Sequence, residues 1–220
     1  MGNLGKLKEL ENIESFEDER INKIDDKLVD LVFVLDKSGS MWGSESDVIG
    51  GFNSLIAKEK KLHPNTIVTL VLFDTEYKVI YTRKDISEVE ELTSDVYYAD
   101  GCTALLDAVG TTINRLDKIA HDNVLFVIAT DGQENSSREY TRRDIKKMIT
   151  SHDWEFIFLG ADIDSFTEAS SLGINSTHTA NYEKSAAGLG GLFSSVRSAK
   201  LSMRRGQKLR DGSWKRELEK

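Results

Sequence analysis

Apolar residues along this chain occur in two kinds of pattern. Four runs are almost continuously apolar, which is typical of β-strands that are covered on both faces of a sheet. These runs are Leu28–Leu35, Thr66–Phe73, Asn123–Thr130 and Trp154–Ala161. Elsewhere apolar residues recur every three or four positions, which predicts helices. The helical segments are Asp47–Leu62, Ile86–Leu92, Ala104–Ile119, Arg142–Ser151, Phe166–Leu172 and Ala186–Met203.

The order of these segments indicates the fold class. Buried strands that alternate with single helices predict a mostly parallel sheet with helices on both faces. Only the residues DTE separate Thr66–Phe73 from the β-rich stretch Tyr77–Thr82, so these two strands are expected to form an antiparallel hairpin. Thr177–Thr179 adds a short edge strand. We therefore predict an α/β protein with a Rossmann-like, doubly wound, mostly parallel six-stranded sheet that has one antiparallel edge strand.

Length and composition fit one globular domain with extensions. The chain has 220 residues, of which 39% are hydrophobic and 30% are charged. Its apolar runs are too short to span a bilayer, and Met1–Arg20 contains no apolar segment of the kind found in signal peptides. The single cysteine, Cys102, excludes an internal disulfide. Together these features predict a cytoplasmic protein.

Charge is distributed unevenly along the sequence. The whole protein has a net charge of −8, whereas Arg197–Lys220 has +6, which leaves −14 on the other residues. An acidic body disfavours nucleic acid as the main partner. The basic end could bind RNA, a membrane surface or an acidic partner. The simpler interpretation of this end is a solvated helix terminus and tail.

Polar side chains follow the predicted strands at positions that favour a binding site. In open α/β sheets, ligands bind beyond the carboxyl ends of the strands, near the point where the strand order reverses. Asp36, Ser38 and Ser40 directly follow the first strand. Thr103 immediately precedes a helix, and Asp131 follows the third buried run. If the two strands are neighbours, two carboxylates and three hydroxyls converge.

Such a set of oxygen atoms is typical of a site for a hard divalent cation. Magnesium and manganese prefer oxygen ligands, whereas zinc sites are rich in Cys and His, and no cluster of Cys and His is evident near these residues. We therefore predict Mg²⁺ or Mn²⁺. The stretch DKSGSM alone also fits a plain turn, since Asp, Ser and Gly are common turn formers. Thr103 and Asp131 favour the metal site.

The same residues resemble a known family. The stretch DKSGS, Asp36–Ser40, matches the D-x-S-x-S signature of von Willebrand factor type A (VWA) domains. Thr103 and Asp131 stand where that family completes its metal-ion-dependent adhesion site. The stretches IGGFNSLI, GCTALLDA, FVIATDGQENSSREYT and WEFIFLGADID resemble a bacterial and phage subgroup of intracellular members. The resemblance covers about residues 27–197, and leaves an N-terminal extension with helical apolar spacing, 1–26, and the basic end, 198–220.

The resemblance implies a role for each of the five residues. Ser38 and Ser40 would bind the metal directly, and Thr103 would bind it directly or through water. Asp36 and Asp131 would accept hydrogen bonds from the hydroxyls and from metal-bound water. Because the carboxylates stay mostly outside the metal's own ligands, the ion would keep much of its charge and bind an Asp or Glu of a partner protein. This implies a protein-binding module without catalysis.

Two classes of enzyme use a similar sheet. A Mg²⁺-dependent phosphohydrolase of the haloacid dehalogenase type would have a second Asp two residues after the first, where this sequence has Ser38. A dinucleotide-binding oxidoreductase would need G-x-G-x-x-G after the first strand, which DKSGSMWG does not provide. The binding module is therefore the main prediction, and the phosphohydrolase-like enzyme is the alternative.

Four other residues near these loops have simpler interpretations. Cys102 is expected to be a small buried residue. Glu134 and Asn135 are expected to cap loops. Trp42 follows the serine motif, and it either shapes the contact with a partner or belongs only to the start of the next helix.

Overall fold

The fold is a six-stranded sheet between two layers of helices, in a computed structural model that describes residues 27–63, 65–120 and 123–218. The strands are β1 Val29–Asp36, β2 Thr66–Phe73, β3 Tyr77–Asp85, β4 Val124–Thr130, β5 Glu155–Gly160 and β6 Thr179–Asn181. The helices are α1 Glu45–Leu62, α2 Leu105–Leu116, α3 Arg142–Ser151, α4 Ser165–Ser171 and α5 Ala186–Arg204. The predicted N-terminal extension, 1–26, lies outside the described residues.

The strand order confirms the predicted doubly wound sheet. The order is β3-β2-β1-β4-β5-β6, and among these six described strands only the pair β2 and β3 is antiparallel. From β1 the chain runs outward to β3 and then returns to β4 on the other side of β1. The order therefore reverses between β1 and β4. A ligand is expected at the carboxyl ends of these two strands.

Two hydrophobic cores lie on opposite faces of the sheet. On one face, Phe33 of β1 packs edge-on against Phe52 of α1, with ring centroids 5.5 Å apart, and Phe193 of α5 joins them. On the other face, Val32 and Val34 of β1 belong to a cluster with apolar residues of α2 and α3. Successive strand side chains point to opposite faces. The burial of both faces explains why the strands are continuously apolar.

A buried ion pair joins the two helices on the first face. Lys200 of α5 contacts Glu59 of α1, and both side chains are fully buried. The Lys200 ammonium also donates to the hydroxyl of Thr66 at 2.6 Å, and Arg197 donates to Glu59 at 3.2 Å. Burial lowers the pKa of Lys200, which Glu59 partly opposes. Glu59 is therefore compensated by two cations, of which Lys200 is the fully buried one.

Two predicted elements differ from the observed ones. The helix predicted over Ile86–Leu92 is only a 3₁₀ turn at Ile86–Glu88. The rest of this segment is held by α1, because the side-chain amide of Asn53 bonds both the N–H and the C=O of Leu92. The predicted edge strand Thr177–Thr179 is displaced to Thr179–Asn181, and a 3₁₀ turn occupies the residues before it.

The expectation of a solvated C-terminal tail is wrong for its apolar residues, whereas most of its charged side chains are exposed. Leu209 is 1% exposed and Trp214 is 2% exposed, and both belong to the first core. The Trp214 indole donates to the C=O of Thr177 at 2.9 Å. Lys208 pairs with Asp153. The helical spacing of the sequence did not reveal this packing, because the segment is built from short 3₁₀ turns.

The buried pair gives a prediction about stability. Lys200→Met should lower the free energy of unfolding by about 3 kcal/mol, because Glu59 keeps its charge in the core without its nearest partner. The double variant Glu59→Leu with Lys200→Met should recover most of this loss, since neither buried ion remains and Arg197, whose side chain is 33% exposed, can be solvated. Chemical denaturation measures both, with exposed Lys118→Met as the control. An equal loss in the single and double variants would contradict the account.

Candidate metal centre

The carboxyl edge of the central strands brings the predicted loops together. β1 and β4 are adjacent and parallel, Asp36 ends β1, and Asp131 directly follows β4. Thr103 lies on the loop that leads into α2. The loops are joined through their backbones, since Gly39 N–H donates to the C=O of Gly101 at 3.0 Å. The positions of all three loops are therefore fixed by the sheet and by one another.

Asp36 is buried and accepts two hydrogen bonds through its carboxylate. Its Oδ1 accepts from the N–H of Ser38 at 2.7 Å, and its Oδ2 accepts from the hydroxyl of Thr130 at 2.5 Å. The buried hydroxyl of Tyr97 donates to the backbone carbonyl oxygen of Asp36 at 2.6 Å. Asp36 therefore holds the start of the serine loop against the end of β4.

The hydroxyls lie between the two carboxylates. Ser38 Oγ and Ser40 Oγ are 3.1 Å apart, and Ser40 Oγ donates to Asp131 Oδ1 at 2.5 Å. Thr103 faces the same point, because a Cβ on Gly132 would lie 2.5 Å from its hydroxyl and 3.2 Å from that of Ser40. The absence of a side chain at Gly132 therefore leaves room for the hydroxyls. All five predicted residues belong to one cluster.

The spacing of the two serine hydroxyls is compatible with a small hard cation. Six oxygens at about 2.1 Å in an octahedron have neighbouring ligands about 3.0 Å apart. The distance of 3.1 Å between Ser38 Oγ and Ser40 Oγ is close to that spacing. Among residues 27–63, 65–120 and 123–218, no group of three or more His, Cys, Asp and Glu side chains is suited to a metal. The cluster itself offers hydroxyls and carboxylates as ligands.

The electrostatics of the cluster favour a positive ion. Burial raises the pKa of Asp36 to about 6, against the hydrogen bonds from Thr130 and Ser38, and the charge of Asp131 raises it further. A carboxylate in such a place is destabilised when it is ionised. A cation bound between Asp36 and Asp131 would offset that cost.

Three residues of this site were not among the predicted ones. Thr130 orients Asp36, Gly132 leaves space for the hydroxyls, and the ammonium of Lys184 donates to Asp131 Oδ2 at 2.9 Å. Thr130 and Gly132 flank Asp131 in the stretch ATDG, so their positions in the sequence were a usable signal. The sequence contains no such signal for Lys184, because this residue lies on a distant loop between β6 and α5.

The neighbours of Thr103 have supporting roles. Asn135 accepts from the N–H of Thr103 at 2.9 Å, and Glu134 accepts from the N–H of Leu106 at 3.0 Å in the first turn of α2. Both therefore cap loops, as expected. Cys102 is exposed, so the expectation of a buried residue is wrong. The loop turns Thr103 inward and leaves Cys102 at the surface.

The raised pKa of Asp36 gives a prediction about metal-free protein. Between pH 3.8 and about 6 the folded state keeps a proton on Asp36 that the unfolded state releases, so stability from this group is present at low pH and is lost as pH rises. Asp36→Asn should therefore be more stable than wild type in chelator, by up to about 3 kcal/mol at neutral pH. This advantage should shrink toward about pH 4.

Hydrogen bonding favours this substitution. The amide of the Asp36→Asn variant can accept from Ser38 N–H and donate to Thr130, whose hydroxyl then donates to the C=O of Gly132 at its present 3.1 Å. Thermal melts across this pH range are the measurement, and Asp95→Asn at the surface is the control. A variant less stable than wild type at neutral pH would show that the ionised carboxylate supports the fold.

Comparison with known proteins gives a family and a fold. The model of the von Willebrand factor type A domain matches residues 30–194. Comparison with curated protein sequences gives no significant match. The solved structures include the pilus adhesin SpaC from Lactobacillus rhamnosus GG, with 13% identity and a TM-score of 0.65 over 80% of this chain and 30% of that chain.

Two other solved structures are similar at the same level. The PilB minor pilin from Streptococcus sanguinis has 13% identity and a TM-score of 0.62, over 82% of this chain and 62% of that one. Proximal thread matrix protein 1 from the mussel byssus, solved with a zinc-occupied MIDAS motif, has 16% identity and a TM-score of 0.59, over 81% and 46%.

These similarities concern one domain. The chain spans less than two thirds of the length of each of these three proteins. At such low identity the likeness to them shows the fold alone. The family model, in contrast, matches well over half of the 220 residues. The chain belongs to the von Willebrand factor type A domain family.

Proposed function

We propose that this chain is a protein-binding module in which Mg²⁺ or Mn²⁺ grips an Asp or Glu of a partner protein. The observation that carries the proposal is the cluster of three hydroxyls between two carboxylates at the carboxyl edge of β1 and β4. VWA domains are commonly protein-interaction or adhesion modules, and the similar solved structures include an adhesin, a pilin and a matrix protein.

Each residue of the cluster has a defined part in this proposal. Ser38, Ser40 and Thr103 supply neutral oxygens to the metal. Asp131 accepts a hydrogen bond from the hydroxyl of Ser40. The lone pairs of that hydroxyl then point away from Asp131 and are available to the metal. Asp36 fixes the loop through the N–H of Ser38. The bound ion would supply a positive charge to which an incoming carboxylate binds directly, in a charge-assisted contact.

The alternative, a Mg²⁺-dependent phosphohydrolase, has weaker support. Its nucleophile would be Asp36, yet this carboxylate is 1% exposed and both its oxygens accept hydrogen bonds. The neighbouring Lys37 pairs with Asp74. A phosphate at the cluster would therefore meet hydroxyls in place of a free nucleophile. A generic phosphatase assay with Mg²⁺ should show no turnover.

The surface around the cluster suits a protein partner. Trp42 is 81% exposed, the largest exposure among the exposed large hydrophobic residues of the described part of the chain. It lies two residues after Ser40, and Tyr98, which is 48% exposed, stands over Lys37. Exposed aromatic side chains are frequent centres of binding energy in protein interfaces. We infer that the partner places an apolar group on Trp42 beside its carboxylate.

The location and origin of the protein rest on the sequence. No helix within the described ranges is long and apolar enough to cross a membrane. A cytoplasmic location and a bacterial or phage origin stay predictions, supported by the single cysteine and by the quoted stretches. Lys208 and Lys215 bond to the domain itself, which disfavours the basic end as a nucleic-acid site.

The metal is tested directly. Ser40→Ala should weaken Mn²⁺ binding by about tenfold or more, because it removes one ligand and the group that orients Asp131. Calorimetry with Mn²⁺ is the measurement, and exposed Ser94→Ala is the matched control. Identical binding by wild type, Ser40→Ala and Ser94→Ala would place the ion elsewhere, and no binding by wild type would overturn the proposal.

The partner surface is tested with a protein captured from host lysate in Mg²⁺ and released by chelator. Trp42→Ala should weaken its affinity about tenfold or more, as loss of a central aromatic contact does. Leu62→Ala, an exposed apolar residue at the far end of α1, should leave the affinity unchanged. Calorimetry with purified partner separates the two variants. Equal affinities for Trp42→Ala and wild type would remove Trp42 from the interface.

A further inference from the structure

A lysine ammonium lies at the rim of the proposed metal site. The Nζ of Lys184 is 2.9 Å from Asp131 Oδ2, 3.1 Å from the C=O of Ser40 and 3.2 Å from Asp162 Oδ2. An ammonium has three donors and no acceptor. Three acceptors around Nζ therefore satisfy it, although its side chain remains 26% exposed. The position of this charge is built into the site.

The backbone that carries Lys184 is anchored on both sides. Tyr182 is buried, and its N–H donates to the C=O of Gly160 at 2.9 Å. Ser185 caps α5, since its hydroxyl accepts from the N–H of Gly188 at 3.1 Å. Lys184 thus lies between a residue bonded to the sheet and the start of a long buried helix. These anchors fix the backbone of Lys184 and so keep its side chain within reach of Asp131.

This ammonium changes the charge balance of the site. Asp36 and Asp131 bring two negative charges when both are ionised, and Lys184 offsets one of them. The hydrogen bond to Asp131 raises the pKa of Lys184 despite some desolvation, which keeps it charged at neutral pH. Asp162 also contacts this ammonium, but its side chain is 68% exposed and its charge is screened by solvent. Among the groups inside the site, a divalent cation would then leave a net charge of about +1, where Asp36 and Asp131 alone would leave it neutral.

We propose that Lys184 weakens binding of the metal alone and strengthens binding of the partner's carboxylate to the metal-loaded site. Its charge repels a divalent cation near Asp131, and so lowers the affinity for metal alone. The same charge attracts an incoming anion, and so raises the affinity of the loaded site for a carboxylate. Lys184 is in this view a positioning and charge-setting residue rather than a metal ligand. The inference rests on the proposed function.

The experiment uses three variants. Lys184→Met removes the charge at the site, and Lys184→Arg keeps it. Lys118→Met is the control, because it removes an exposed charge in the loop after α2. Calorimetry measures Mn²⁺ affinity in chloride and again in excess acetate, which is the carboxylate probe. Lys184→Met should bind Mn²⁺ about tenfold more tightly than wild type in chloride. Acetate should also raise the Mn²⁺ affinity of Lys184→Met by a smaller factor than it raises that of wild type. Lys184→Arg and Lys118→Met should behave as wild type.

The outcomes separate this inference from the proposed function. Wild type and Lys184→Met with equal Mn²⁺ affinity and an equal gain from acetate would overturn the role of Lys184 and leave the metal site standing. Mn²⁺ binding by Lys184→Met but not by wild type would mean that the ammonium takes the place of the divalent cation, which overturns both. Melting temperatures of all variants confirm that each is folded.

Discussion

The parallel pairing of β1 with β4 is the constraint on which the site depends. The pairing runs from Asp30 opposite Val124 to Leu35 opposite Ala129. Because the two strands run in the same direction and end at the same edge, Asp36 and Asp131 leave the sheet side by side. A shift of this register by one residue would exchange the two faces of β1, so Phe33 would lose its packing against Phe52. The two cores therefore fix the position of the carboxylates.

This arrangement concentrates negative charge where the fold least favours it. Asp36 is ionised only against the cost of burial, yet its two hydrogen bonds join the serine loop to the end of β4. The carboxylate of Asp36 thus joins the loops, and its buried negative charge would be stabilised by a nearby cation. Lys184 supplies one positive charge beside Asp131 from within the protein. A divalent ion would supply further positive charge.

Most of the fold was readable from the sequence because its signals are local. Continuous apolar runs gave the buried strands, and the short DTE connection gave the hairpin. The proximity of Asp36 and Asp131 was predictable for a similar reason, since each stands at the end of an apolar run. Lys184 and Trp214 were not readable. Each acts through a contact with a distant part of the sequence, and neither has a periodic pattern around it.

The packing of the C-terminal segment has a further consequence for how copies of this protein meet. The short strand β6 ends one side of the sheet, where unpaired backbone groups offer a template for aggregation. Lys215 donates to the C=O of Thr179 at 2.9 Å, and the Trp214 indole N–H donates to the C=O of Thr177. The basic end thus covers this border. At the other border, irregular pairing between β2 and β3 and the charges of Lys78 and Lys84 oppose the addition of a strand. In the described part of the chain, each border of the sheet thus carries groups that oppose the addition of a strand.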